Sequence, residues 1–374
     1  MDFTGEPVKG VMEFQPERIF KGPGFAETLS LGTIGGRRVI RKASNPDARP
    51  FSRTAFIREI RLLLSLPVEL KPMFPEVLGT NLGDRTEDAP DLPGIIHYEM
   101  PYYSPEEGWE PLSRCLLECA LDADEARRIL GEILDAAFLF FRLDEREPDS
   151  KYAERTMLAA IRDSIAYAAE EPALRKLVLM RNPILSGRPV RNAGEMRNYF
   201  SDSARMRALL TPSRDRFLHG DFFPENILYN RRTGRWLLLD PVSVRGVHRG
   251  DFMLDVVKMG EWLSGELPAF RMERFSCDIR GNAVEIVLDT DSGELASLHR
   301  LGLDAWYGER LRSPEYADVF ACEKGWETRG VFVKAFYAFC MVPLADTCQA
   351  VARYIRALAM MDEFIARTEG GRSA

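Results

Sequence analysis

Asp221, Asn226 and Asp240 are the residues through which this chain could do chemistry. Asp221 and Asn226 stand in FLHGDFFPENIL with four residues between them, and Asp240 closes the apolar run WLLLD. Two aspartates and an asparagine near the ends of short strands make an oxygen-rich set. Mg2+ takes such ligands and completes its shell with water and phosphate oxygens. A carboxylate in such a set can also receive a proton from a hydroxyl, work that contributes roughly 10²–10⁴-fold. The same residue types are good turn formers, so alone they describe a bend between strands equally well.

The elements around them decide between these readings. Two β-prone runs, Thr28–Ile34 and Arg38–Ala43, flank Gly35-Gly36 and predict a hairpin. The segment RTAFIREIRLLLSL, 53–66, predicts a helix with Phe56, Ile60, Leu63 and Leu64 on one face and Pro67 at its end. FPEVLGTNL (74–82) and GIIHYEMPYY (94–103) predict two more strands. Beyond residue 104 the composition turns helical, at 122–143, 152–171, 193–210, 251–263, 328–341 and 345–367. Short strands and loops around 217–243 interrupt it, and a hairpin about Gly281-Asn282 spans 274–290. The fold class expected is α+β and bilobal, with a small five-stranded antiparallel lobe carrying one helix (1–103) and a larger, mainly helical lobe (104–374).

Bulk properties exclude several classes. At 374 residues the chain should hold two or three domains. With 45% hydrophobic and 29% charged residues it reads as globular rather than disordered. A net charge of −7 gives no general attraction to nucleic acid or to an anionic membrane. The six cysteines form no CxxC pair, and the four histidines lack zinc-ligand spacing with them. All six are read as buried, reduced thiols. The N-terminal stretch lacks the apolar core of a signal peptide, and no run reaches the ~20 apolar residues of a membrane span. A cytoplasmic location and no membrane insertion are expected.

The order of the motifs carries a resemblance. Gly22-Pro23-Gly24, Lys42 at the end of VIRKA, Glu59 on IREIRLLL, YEMPYY, Asp221, Asn226 and Asp240 follow the order of parts in a protein-kinase fold. His-Gly-Asp in HGDFFPENIL resembles the aminoglycoside phosphotransferase and choline kinase group, kinase-like folds that phosphorylate small molecules. The resemblance spans about residues 20–265. EIRLLLSLP with FPEVL, and NILYN-x-x-TGR-x-x-LLDP followed by GD-x-x-x-D-x-x-K, are also similar to kinase-like proteins of bacterial capsule and surface-sugar synthesis.

That resemblance implies roles. Lys42 would neutralise the α and β phosphates of ATP or GTP, with Glu59 as its partner; the adjacent Arg58 leaves room for a one-residue error. Gly22 and Gly24 would cover the phosphates. Met100, Tyr102 and Tyr103 would hold the purine, and since Pro101 has no N–H the donor would be Tyr102 or Tyr103. Asp221 would position the acceptor hydroxyl and take its proton, with His219 ordering the loop. Asn226 and Asp240 would bind Mg2+, and Asp255 would brace the catalytic loop. Asp251 reads as a helix N-cap, His248 and Arg249 as loop surface, and Trp306, Tyr307, Trp326, Phe332, Phe336 and Tyr337 as core.

Departures qualify the match. Asp240-Pro241-Val242 replaces Asp-Phe-Gly, and no Ala-Pro-Glu segment follows, so a small-molecule acceptor is expected rather than a protein. A sugar or surface-glycan precursor leads; an aminoglycoside-type antibiotic or an amino alcohol are the alternatives. A non-catalytic nucleotide-binding pseudokinase and a metal-dependent hydrolase are the competing classes. The oligomeric state is open.

Overall fold

The structure, a computed structural model, describes residues 14–20, 27–45, 50–83, 94–241 and 248–370, with the backbone alone for 50–52. Chain contacts divide it into two compact units, one drawn from the described residues of Met1–Glu110 and Ile227–Val247, the other from those of Pro111–Asn226 and His248–Ala374.

In the first unit, β1 (Gln15–Phe20), β2 (Glu27–Ile34), β3 (Arg37–Ser44), β4 (Gly79–Thr80) and β5 (His97–Pro101) form one sheet in the order β1-β2-β3-β5-β4. Every neighbouring pair is antiparallel. Gly35 and Gly36 turn the β2–β3 hairpin at φ 57° and 79°, the left-handed pair that matches strand twist in a two-residue connection. Helix α1 runs Pro50–Ser65, with proline at a position that needs no N–H. Phe56, Ile57, Ile60 and Leu63 are buried, each side chain contributing about 1.5–3 kcal/mol. Leu64, expected among them, is 50% exposed because it sits in the last turn, where the cover ends. Of the strand expected over 74–82 only Gly79–Thr80 pairs; Pro75 has no amide for a ladder.

A second, three-stranded sheet in this unit joins Trp109–Pro111 to the antiparallel pair Ile227–Asn230 and Trp236–Leu238. The first unit's first segment runs to Glu110, within the strand Trp109–Pro111, and the chain re-enters the unit after Asn226.

The second unit is mainly helical. Helix Ala123–Leu143 starts at Asp122, whose carboxylate accepts the Glu125 N–H at 2.8 Å. It buries Ile129, Leu130, Ile133, Leu134, Phe138 and Phe141 along one side. The helix expected over 152–171 opens with a π-helical turn, Ala153–Leu158, before Ala159–Glu170. That expected over 193–210 is two, Ala193–Tyr199 and Ser203–Leu210, because Asp202 caps a new start on Arg205 N–H at 3.0 Å. Met253–Leu263, Trp326–Met341 and Thr347–Gly370 complete the long helices. The hairpin Phe275–Arg280/Ala283–Leu288 turns on Gly281 at φ 65° and also pairs in parallel with Ile184–Leu185. That contact is between segments remote in sequence, which no local pattern announces. Phe332, Phe336, Tyr337 and Tyr307 are core, as expected, while Trp306 and Trp326 are half-buried.

The cysteines depart from expectation. All six are reduced thiols, but Cys115 alone is buried, Cys277 and Cys340 are half-buried, and Cys119, Cys322 and Cys348 are exposed. Cys322 accepts from the buried Arg216 guanidinium at 3.3 Å, a polar use that leaves it at the surface. No helix among the described residues is long and apolar enough to cross a membrane.

Candidate active site

The first unit assembles a lysine between carboxylates. In β3, Lys42 pairs in register with Tyr98 of β5, so both side chains leave the same face of the sheet. That is the face α1 covers. Lys42 Nζ donates to both Glu59 oxygens, at 2.8 and 2.9 Å, and to Asp240 Oδ1 at 2.9 Å. The Tyr98 hydroxyl donates to Glu59 Oε1 at 2.8 Å. Glu59 is 1% exposed and Lys42 5%, and the helix register selects Glu59 over Arg58, which is half-buried. Burial opposes the Lys42 charge, but Asp240 and Glu59 together hold its pKa well above the usual lysine range. Burial raises Glu59 to about 7, with Lys42 pulling the other way. Asp240 has φ 53°, uncommon for a residue with a side chain, and keeps 48% of its side chain exposed.

The strand end 98–103 is more committed than its sequence implies. Tyr102 N–H already donates to Arg38 O at 3.3 Å, and the Arg38 guanidinium lies 4.7 Å from the Tyr102 ring centre. The Tyr103 ring meets Trp109 edge-on at 5.0 Å. Gly22 and Gly24 lie outside the described residues.

The second unit builds a braced loop. The two-stranded pairing of Arg216–Phe217 with Arg249–Gly250 delivers the chain to His219. There the Asp255 carboxylate accepts two successive backbone amides, His219 and Gly220, both at 2.8 Å. Gly220 has φ 86°, a conformation that favours glycine. His219 Nδ1 accepts the Asp221 N–H at 3.2 Å, and Asn226 Nδ2 donates to Asp221 O at 2.9 Å and Oδ2 at 2.8 Å. The structure thus brings His219, Asp221, Asn226 and Asp255 together. Burial raises Asp255 to about 7 against the pull of its two amide donors.

Asp251, expected as a helix N-cap, is not the cap: that position is Phe252, one residue later. Asp251 accepts the Met253 N–H at 3.0 Å, and it also pairs at 2.8 Å with Arg329, which pairs at 2.8 Å with Glu323. All three charged groups are buried. The pair welds the start of helix Met253–Leu263 to helix Trp326–Met341.

Sequence reasoning gave no role to Lys258. Its ammonium pairs directly with Asp221 Oδ1 and lies 4.8 Å from the Phe223 ring centre. It stands three residues after Asp255, the spacing that puts two side chains on one helical face. One turn of helix Met253–Leu263 therefore holds both the loop's backbone and its carboxylate. The signal was present as the lysine of GD-x-x-x-D-x-x-K.

No protein-family model and no curated protein matches the chain. Solved structures do. An ethanolamine kinase of Plasmodium vivax aligns over 98% of this chain and 86% of its own, at 10% identity and a TM-score of 0.49. A proposed aminoglycoside phosphotransferase of Ralstonia eutropha aligns over 97% and 94%, at 13% identity and 0.48. The aminoglycoside phosphotransferase APH(4)-Ia, in a complex with AMP-PNP and hygromycin B, aligns over 98% and 97%, at 13% identity and 0.45. The chain is similar to small-molecule kinases. At these identities and scores the likeness assigns no activity, which is argued from the residues instead.

Proposed function

We propose that this protein is a Mg2+-dependent phosphotransferase that moves the γ-phosphoryl group of ATP or GTP to a hydroxyl of a small metabolite, a sugar or surface-glycan precursor. The observation that carries the reading is Lys42. A lysine 5% exposed, held charged between the buried Glu59 and the half-exposed Asp240, is a cation kept in a fixed place. Phosphoryl transfer needs positioned charge more than covalent help.

In this reading Lys42 binds the nucleotide phosphates and Glu59 fixes its position. With Pro101 lacking an N–H and Tyr102 committed to Arg38, Tyr103 is left as the main-chain donor to the purine. Asn226 commits its amide nitrogen to Asp221, so its carbonyl oxygen is the atom able to ligate; the Asp240 oxygen turned from Lys42 is the other. Both are hard oxygen donors of the kind Mg2+ accepts. When bound, the ion would neutralise charge on the phosphates. Asp221 orients the acceptor hydroxyl and takes its proton as the oxygen bonds to phosphorus. The bond from phosphorus to the β–γ bridging oxygen breaks, leaving the diphosphate nucleotide. Lys258, paired with the other oxygen of Asp221, keeps that carboxylate placed.

The test is consumption of MgATP and MgGTP against a panel of sugars, sugar nucleotides, sugar acids, aminoglycosides and amino alcohols, with Asp221→Ala as control. Acceptor-dependent turnover that vanishes in the variant is expected. Nucleotide binding without turnover on any acceptor would replace the reading with a pseudokinase. Turnover that survives Lys42→Ala would point to a hydrolase.

A further inference from the structure

We propose that the acceptor is an alcohol that also carries an anionic group, a carboxylate or a phosphate monoester, received by Arg353 and Arg271 beside the catalytic loop. This rests on the phosphotransferase reading above.

Arg353, in helix Thr347–Gly370, is 4% exposed. Among the described residues it makes no hydrogen bond or ion pair, and of its three guanidinium nitrogens Nε alone is sealed from solvent. Its guanidinium lies 4.7 Å from the Phe270 ring centre. Buried charges are paired as a rule, because taking an ion out of water is costly. Burial and the nearby Arg271 lower its pKa to about 10, which still leaves it charged at neutral pH. A guanidinium held this way is a planar fork of donors awaiting an acceptor, and carboxylate and phosphate oxygens match that fork.

Its position ties it to the chemistry. Arg271 follows Phe270 in the chain, lies 5.1 Å from the Phe223 ring centre and pairs with Glu225. Lys258 lies against that same Phe223 ring while meeting Asp221. Two cations, Arg271 and Lys258, thus converge on the loop from Asp221 to Glu225, and Arg353 stands near Arg271. Of the carboxylates around them, Asp346 also acts on Arg353, while two others are already engaged. Glu266 is gripped by Arg356 through two contacts of 2.6 Å, and Glu225 by Arg271 and by Trp262 Nε1 at 3.2 Å. Burial, with Glu266 adding to it, raises Glu261 to about 8, so it is mostly neutral at pH 7. On a chain of net charge −7 this corner is cationic. A cationic acceptor, such as an aminoglycoside or an amino alcohol, would meet like charge there.

The experiment uses the full chain and does not depend on turnover. Thermal unfolding is followed at matched ionic strength with D-glucuronate against D-glucose, and with glycerol 3-phosphate against glycerol. Wild type, Arg353→Met and Arg353→Lys are compared. At least one anionic probe is expected to raise the wild-type Tm above its neutral partner, and the arm that responds names the anion. Arg353→Met should be at least as stable as wild type alone and bind that probe about ten- to a hundredfold more weakly, the worth of a charge-assisted hydrogen bond. Arg353→Lys should fall between. Three results would overturn the proposal: a Tm several degrees lower for Arg353→Met alone, which makes the arginine part of the core; equal anion effects in wild type and variant; or no preference for either anionic probe. Asp221-dependent turnover of a neutral or cationic acceptor, with a KM untouched by Arg353→Met, would remove this inference and leave the phosphotransferase. Anion binding lost in Arg353→Met, with no Asp221-dependent turnover on any acceptor, would keep the anion site and remove the phosphotransferase.

Discussion

Lys42→Met isolates the interaction on which the nucleotide half of the site is built. The substitution keeps the length of the side chain and removes its charge. It leaves Glu59 at 1% exposure with both oxygens deprived of their shared donor. Removing one partner of a buried pair costs about 3–5 kcal/mol. The Tyr98 hydroxyl still donates to Glu59 Oε1, and Asp240, half exposed, can turn to water. Both offsets bring the expected loss to the lower end, about 3 kcal/mol. The pH dependence has a definite sign. Glu59 is already raised to about 7 with Lys42 lowering it, so without Lys42 it rises further. At acid pH the stranded carboxyl is neutral and the loss shrinks; above its raised pKa the loss is full. The assay is urea unfolding of wild type, Lys42→Met, Glu59→Leu and the double variant, at a pH below and a pH above 7. The double variant should recover most of the loss, since an apolar pair replaces a buried ionic one at little cost. A single variant as stable as wild type, or a double variant worse than the sum of the singles, would refute the argument.

Two further substitutions probe the second unit. Asp255→Asn leaves one oxygen and one NH2 facing two backbone N–H donors, so one amide loses its acceptor. A loss of about 1–3 kcal/mol in stability is expected, with kcat falling more than the nucleotide KM; an unchanged kcat would separate Asp255 from the loop's geometry. Glu261→Gln tests the raised carboxyl, which faces Glu266, Lys334, Arg356 and Lys258. A group whose pKa rises from 4.5 to about 8 on folding favours the fold below 4.5 and loses that contribution as pH climbs to about 8. The Tm of Glu261→Gln relative to wild type should therefore increase steadily across that window; a flat difference would show that Glu261 is ionised in the fold.

What could be read in advance was what local spacing controls. The Gly35-Gly36 hairpin sets the register that puts Lys42 opposite Leu29, and the order of the motifs points to Glu59 as its partner. Asp221 and Asn226 reach one another because four residues of a tight loop separate them. Asp255 was expected as a brace through the family resemblance alone, since its bonds to the His219 and Gly220 amides join residues 36 and 35 apart. Contacts made across long stretches of chain were not legible. The pairing of Lys258 with Asp221 needed the loop and the helix placed against each other. The second sheet of the first unit needed strands from either side of residues 111–226. Arg353 looked like any charge on an amphipathic helix, because a sequence pattern does not say which arginine is buried without a partner. Leu64 and the exposed cysteines failed for the complementary reason: composition sets a preference for burial, and the end of a helix or a hydrogen bond such as that of Arg216 to Cys322 can override it.

The return of residues 227–241 to the first unit bears on how the chain is made. During synthesis the strands and helix of residues 15–101 emerge early, yet their unit is incomplete until the segment with Asp240 has been added. In the interval Lys42 has Glu59 but lacks its second carboxylate, and Trp109–Pro111 is an open edge with no strand to pair with. Closing that unit requires the intervening residues 111–226 to be bypassed, and each doubling of such a loop adds only ~0.6 kcal/mol of entropy cost. The delay is thus one of order in time rather than of free energy. A fragment cut just after Pro111 would present Trp109–Pro111 as an unpaired sheet edge, and such edges recruit other chains.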